Sequence, residues 1–191
     1  DPGGGPQVAA SGAVLVTGAA ARIGRAIARD LGRRGWRVAV HCRRSDDEAA
    51  QVAAEIAAEG GVCVTLAADL TREDELRPLV ARAHEALGPL TCLINNASVF
   101  EYDDATSATA DSWRRHFETN TWAPLALTQE FAAQLPDGAA GNVVNLIDQC
   151  VWNLSAGFIS YTASKSALWT LTTTLALALA PRIRVNGIGP G

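Results

Sequence analysis

The sequence predicts an α/β fold built on a doubly wound parallel sheet, and three observations carry that prediction. Short, continuous apolar runs recur along the chain, as strands covered on both faces require. Longer segments with helical spacing separate them, giving six β-α alternations of the Rossmann type. The first apolar run also passes directly into a glycine-containing turn that opens a helix. The 191 residues suffice for one such domain and are too few for two of ordinary size.

Residues 1–11, rich in Gly and Pro, predict a flexible N-terminal tail, and residues 12–191 a single domain with no internal repeat beyond the alternation. Residues 13–17 read as a buried first strand, followed by a helix over 23–34. A second strand is expected at 36–40, a helix at 48–58 and a third strand at 62–66. A helix over 71–87 follows, with Thr71 and Asp74 spaced as a capping box. Strand four is placed at 90–94, and a long helix at 111–135 opens after an acidic, Thr-rich loop. The fifth strand is expected at 142–147, a helix over 160–180 ends before Pro181, and 182–186 closes the sheet.

Composition narrows the function. Sixteen Lys+Arg against twenty Asp+Glu leave a net charge of -4, which argues against a nucleic-acid-binding face. Hydrophobic content of 48% with 19% charged residues supports a packed core. The longest apolar candidate, 168–180, carries four threonines and is shorter than a membrane span, so no membrane role is expected. Cys42, Cys63, Cys92 and Cys150 are widely separated and form no C-x-x-C pair, which predicts free thiols, no metal site and a cytoplasmic setting.

Two ends of a site can be read from the residues. In Thr17-Gly-Ala-Ala-Ala-Arg-Ile-Gly24, Gly18 permits a tight turn and Gly24 a close helix–sheet approach, so the helix N-terminus can face a pyrophosphate. After strand two, where an NAD site wants an acid, stands His41-Cys-Arg-Arg-Ser45. Arg44 and Ser45, with Arg22 and Arg43 nearby, suit a 2′-phosphate, which favours NADP(H); the alternative is a solvated charged loop. Asp69 is placed to accept from an adenine amino group and Asn95, Asn96 and Ala97 to line a ribose, unless they serve only as turn residues. At the other end, Tyr161 and Lys165 are four apart and share a helix face. Bringing a tyrosine from about 10 to about 7 takes roughly 4 kcal/mol, which one ammonium about 4 Å away supplies at an effective dielectric near 20. The pair is therefore expected to donate a proton near neutral pH.

TGxxxRxG at Thr17, NNAS at Asn95, Asn120, YxxxK at Tyr161 and the terminal RVNGIGPG together resemble the short-chain dehydrogenase/reductase family over about residues 12–191. Within it, Arg22, the His41 to Ser45 segment, Ser98, Phe100 and an aspartate at 148, thirteen residues before Tyr161, are most similar to the pteridine reductase subgroup. Ordinary members have a glycine in place of Arg22 and a serine in place of Asp148. The resemblance implies catalytic roles for Asp148, Tyr161, Lys165 and Asn120, the last holding a water that links Lys165 to solvent. It adds Thr17, Ile23, Leu70, Pro190 and Gly191 to the cofactor contacts, with Tyr161 and Lys165 serving there too. It places Arg22, Ser98, Phe100, Asp148 and Tyr161 around the substrate, with Phe100 stacking on a flat ring opposite the nicotinamide.

A carboxylate beside Tyr161 would raise the tyrosine's pKa, which makes sense if Asp148 is protonated or faces a basic ring nitrogen. The expected activity is NADPH-dependent reduction of a pteridine-type ring. The alternatives are a 3-oxoacyl-type carbonyl reductase and a non-catalytic NADPH-binding regulatory protein. Trp113, Trp122 and Trp152 are expected as core or interface aromatics, with only Trp152 near enough to Asp148 in sequence to serve as a pocket wall; His84 and His116 as surface or packing residues; Arg33-Arg34 and Arg114-Arg115 as solvated faces. The family pattern also implies a homotetramer or homodimer through helices at 119–131 and 168–180. It continues past the final Pro-Gly with a covering loop, a helix and a last strand that this sequence lacks.

Overall fold

The computed structural model describes residues 12–44 and 47–190, so the expected tail at 1–11 and the assignments to Ser45 and Gly191 lie outside it. Six parallel strands form one sheet: β1 (Ala13–Val16), β2 (Arg37–Cys42), β3 (Val62–Ala67), β4 (Leu90–Asn95), β5 (Gly141–Leu146) and β6 (Ile183–Ile188). Their order is β3-β2-β1-β4-β5-β6, so the winding reverses between β1 and β4, where open α/β sheets leave a crevice at the strands' C-terminal ends.

Alternation within each strand explains the continuous apolar runs. Ala13 and Leu15 face one core with Leu90, Leu93, Leu127 and Phe131, whereas Val14 and Val16 face a second with Val38, Val40, Val52 and Ile56. The helices α1 (Arg22–Arg33) and α2 (Asp47–Ala58) cover the second core. The first lies beneath α3 (Glu73–Leu76), α4 (Leu79–Leu87), α6 (Ala123–Gln134) and the end of α7 (Ile159–Leu179). Among the described residues no helix is long and apolar enough to cross a membrane.

Two expected helices are interrupted. The 71–87 helix breaks at Arg77-Pro78, because a proline has no N–H to continue the ladder. Its capping box does not form: the Thr71 hydroxyl donates to Asp69 at 2.7 Å, and Asp74 pairs with Arg72 at 2.8 Å. The 111–135 helix starts earlier, as α5 (Ala110–Phe117), under a reciprocal Thr109/Ser112 cap. It then widens into a π turn over Glu118–Trp122 before α6 resumes. The π turn carries Asn120, in keeping with the tendency of such turns to sit at functional sites. Trp169 and Leu177 on α7 stay exposed, as do Trp113 and Trp122.

Candidate active site

A cleft of about 640 Å³ opens at the β1/β4 switch point. Its far wall is the β1–α1 turn. Gly18 has a positive φ of 60°, and a Cβ on Gly24 would lie 2.3 Å from the Gly18 carbonyl oxygen and 2.5 Å from Asn96 Nδ2. Only glycine leaves that cradle open. The first-turn N–H groups of α1 have no partners within the helix, and Ala21 supplies no side-chain cap. Arg22, Ile23 and Gly24 line the cleft at this point. Arg22 has a φ of 51°, a left-handed conformation costing a side-chain-bearing residue about 1–2 kcal/mol. That strain explains why a glycine suits this position, and here it is accepted to carry a guanidinium.

Several residues assigned to the cofactor instead hold this cradle. The Thr17 hydroxyl accepts from the N–H groups of Asn96 and Ala97, both at 3.0 Å, and Thr17 is outside the cleft lining. Asn96 Nδ2 donates to the Thr17 and Gly18 carbonyls at 2.9 and 3.0 Å. His41 borders the cleft but is 1% exposed: Nδ1 accepts from the Gly18 N–H at 3.0 Å, and Nε2 faces the Ala68 carbonyl at 2.9 Å. Burial holds its pKa below the ordinary value, so it is a neutral brace and not a cation for phosphate. Asn95 is buried away from the cleft, donating to Asn145 Oδ1 at 2.8 Å. Arg44 is exposed and also outside the lining, so among the described residues Arg22 and Arg43 are the cations that line the cofactor end of the cleft, Arg115 and Lys165 lining it elsewhere.

Arg43 reaches Asp69 Oδ2 at 3.0 Å, while Asp69 Oδ1 accepts from the Thr71 N–H and hydroxyl. Partial burial pushes the Asp69 pKa up, but these donors outweigh it and leave it below the usual range. Asp69 thus does turn chemistry while still lining the cleft with Leu70, Ala97 and Pro190. The donor set fits a dinucleotide: a glycine cradle, free helix N–H groups and two guanidiniums.

At the opposite end, the Tyr161 hydroxyl donates to Asp148 Oδ2 at 2.8 Å. Burial first, and this bond second, push the phenol well above its ordinary pKa. Of the two opposed effects expected on Tyr161, the raising by the carboxylate at 148 prevails over the lowering by Lys165. Lys165 Nζ lies 5.8 Å from the ring centroid and donates to the Leu146 carbonyl at 2.8 Å. Burial brings its pKa down to about 8. Asp148 Oδ1 accepts from the Cys150 N–H at 2.8 Å and so caps the short turn after β5.

Asn120 is fully buried and saturated. Its Oδ1 accepts from the Val99 N–H at 2.8 Å and the Ser98 hydroxyl at 3.2 Å; its Nδ2 donates to the Val99 carbonyl and Ser164 Oγ, both at 3.0 Å. No donor or lone pair remains on this amide for a bridging water. The Asn120 side chain is a latch for the segment that displays Ser98 and Phe100.

Phe100 lines the cleft and meets Tyr161 edge-on at 4.6 Å. Phe158, which sequence reasoning missed, stacks on it at 4.5 Å and 6°. Trp152 does not wall the cleft but packs edge-on against Trp169 at 5.4 Å. Arg115, expected on a solvated face, lines the mouth with Glu101, to which it bonds at 2.7 Å. His116 is completely buried in a polar network with Asp103, Ser112 and Ser160. Nothing at positions 101, 115 or 158 marks these side chains in sequence; the loop and helix bring them together only in the fold.

A glycine cradle facing a tyrosine–lysine pair across the switch point of a parallel sheet defines a dinucleotide-dependent oxidoreductase. Residues 12–191 match the short chain dehydrogenase family, and the chain belongs to it. Among solved structures it is similar to the FolM alternative dihydrofolate reductase 1 of Brucella canis complexed with NADP, 48% identical, with a TM-score of 0.91 over 95% of this chain and 72% of that one. An uncharacterized oxidoreductase of Methylorubrum extorquens is 35% identical over 93% of this chain and 71% of that protein. A 3-oxoacyl-[acyl-carrier-protein] reductase of Staphylococcus epidermidis is 31% identical over 93% of this chain and 73% of its own length.

Proposed function

We propose that this NADPH-dependent short-chain oxidoreductase reduces a pteridine-type ring. The observation carrying the proposal is the Tyr161–Asp148 hydrogen bond, 2.8 Å long, beside Phe100. A phenol held above its ordinary pKa by burial and a carboxylate partner is a poor donor to a simple carbonyl. It suits a ring nitrogen, which is more basic and which the carboxylate also favours in its protonated form. The similarity to a FolM dihydrofolate reductase supports the same reading.

NADPH, when bound, supplies a hydride. Gly18, Gly24 and the α1 N-terminus would hold its pyrophosphate, Arg22 and Arg43 its 2′-phosphate, and Tyr161 and Lys165 its nicotinamide ribose. Phe100, with Phe158 stacked on one face, would offer its other face to the substrate ring, next to Tyr161. The Tyr161–Asp148 pair holds one transferable proton. That proton passes to the ring nitrogen as the adjacent carbon gains the hydride, and solvent restores it to the pair. Lys165, buried and donating to Leu146, fixes the helix face from which Tyr161 projects. The exposed Trp169 and Leu177 on α7 support self-association, by which a dimer or tetramer would form.

The second reading is 3-oxoacyl reduction, favoured by the Staphylococcus relative. NADPH oxidation with a dihydropteridine against a 3-oxoacyl thioester decides between them. Turnover of the dihydropteridine alone is expected; turnover of the thioester alone overturns the proposal.

A further inference from the structure

The segment from Ala97 to Asp103 pairs with no strand, yet four of its residues are held from inside at every second position. Ala97 donates to the Thr17 hydroxyl at 3.0 Å, and Val99 exchanges two bonds with Asn120. The Glu101 N–H donates to His116 Nε2 at 3.2 Å. Asp103 accepts from the Ser160 N–H at 3.0 Å, from the Ser160 hydroxyl and from the Ser112 hydroxyl at 2.9 Å. The alternate residues Ser98, Phe100 and Tyr102 are exposed. Glu101 is exposed as well, so at Val99 and Glu101 it is the backbone that is held, and this fixes the path of the chain on which Phe100 stands.

His116 joins the two halves of the site. Its Nε2 takes the N–H of Glu101, next to Phe100. Its Nδ1 lies 2.9 Å from the hydroxyl of Ser160, next to Tyr161, and 2.8 Å from the Ser112 carbonyl. Because Nε2 accepts from a backbone N–H, the ring proton belongs on Nδ1, and every polar atom of the ring has a partner. The ring also packs edge-on to Tyr161 at 6.1 Å. His116, Ser160 and Asp103 are 0%, 0% and 2% exposed, so water cannot replace any of these bonds without a structural change.

We propose that His116 is a positioning residue: its ring ties the backbone beside Phe100 to the hydroxyl beside Tyr161 and so sets the spacing between ring platform and proton donor. The inference rests on the reading of Phe100 and Tyr161 given above. It predicts that loss of the ring harms substrate handling and leaves the distant dinucleotide cradle intact. It also predicts that Gln, whose amide oxygen reaches the place of Nε2, restores the Glu101 bond.

The test compares wild type, His116→Ala and His116→Gln in NADPH oxidation and in NADPH binding by fluorescence. The expected result for His116→Ala is a KM for dihydropteridine raised about tenfold or more, with NADPH affinity within about twofold of wild type. His116→Gln should recover most of the KM. Unchanged KM in His116→Ala, or equal loss of KM and NADPH affinity with no recovery in His116→Gln, overturns the proposal.

A readout without substrate separates this from the choice of substrate. Crystal structures of substrate-free wild type and His116→Ala should differ in the separation of the Phe100 and Tyr161 rings, whose centroids lie 4.6 Å apart with His116 in place. An unchanged separation overturns the positioning role, whichever substrate the enzyme reduces.

Discussion

Replacing Asp148 by Ser isolates the contact that distinguishes ring reduction from carbonyl reduction. Asp148 does two things: Oδ1 caps the Cys150 N–H at 2.8 Å, and Oδ2 takes the Tyr161 hydroxyl at 2.8 Å. Serine caps such a turn about as well as aspartate, so the loop persists and the stability change stays within about 1 kcal/mol. What is lost is a hydrogen bond to a charged acceptor, worth about 1.5–3 kcal/mol. If that energy is used in the transition state, dihydropteridine turnover falls about tenfold to a hundredfold. Removing the carboxylate also leaves burial as the principal cause of the raised Tyr161 pKa, so the phenol moves back towards its ordinary range. Turnover of a 3-oxoacyl thioester should therefore hold or rise in the same variant. Initial rates of NADPH oxidation with both substrates measure the two changes side by side. Unchanged dihydropteridine turnover in Asp148→Ser, with the protein folded, would refute the proton-relay argument.

Gly24→Ala puts a methyl group 2.3 Å from the Gly18 carbonyl oxygen, and NADPH affinity should fall more than about tenfold, with a stability loss of about 1–3 kcal/mol from overpacking, read by fluorescence titration and urea unfolding. Arg22→Gly relieves a φ of 51°, so thermal stability should hold or rise slightly while NADPH binding and KM for the pteridine both worsen; a stability loss would contradict the strain assignment. Lys165 has its pKa lowered by burial from 10.5 to about 8, which depresses the folded value below the unfolded one. Burying its charge therefore destabilises the fold fully below about pH 8, by on the order of 3 kcal/mol, and the penalty fades as the pH rises to about 10.5. The urea midpoint of wild type should accordingly climb with pH over that window relative to Lys165→Gln. Lysine-selective isotope labelling gives a direct check, because Lys165 is the only lysine in the chain.

Strand identity was legible at the centre of the sheet, where both faces are covered: runs such as Ala13–Val16 are apolar and buried at every position, whereas the edge strands β3 and β6 are only partly buried. Helix boundaries were less legible. Thr71 and Asp74 have the spacing of a cap, but Asp69 is nearer to Thr71 in the folded turn and takes its hydroxyl. The π turn at Glu118–Trp122 left no mark in the sequence pattern, since one added residue per turn shifts the apolar period too little to notice over five positions.

The same divide runs through the site. Residues that face the cleft from a motif, such as Gly18, Gly24, Tyr161 and Asp148, were legible by type and spacing. Residues that hold those in place were misread or missed, because a motif residue and its brace share one sequence neighbourhood. Thr17 and Asn95 sit inside recognised motifs yet are buried beneath the cleft, and His41 belongs to a cationic segment yet is neutral and enclosed. His116 shows the limit most clearly. Its partners Glu101, Ser112 and Ser160 come from a loop and two helices, and only the packing of α5 against the start of α7 makes them one network. A buried polar residue in such a place has to satisfy all its atoms, so its neighbours are dictated by geometry and cannot be inferred from a local pattern. The chemistry of this chain is therefore written in its motifs, while the distance at which Phe100 stands from Tyr161 is written in side chains that no motif contains.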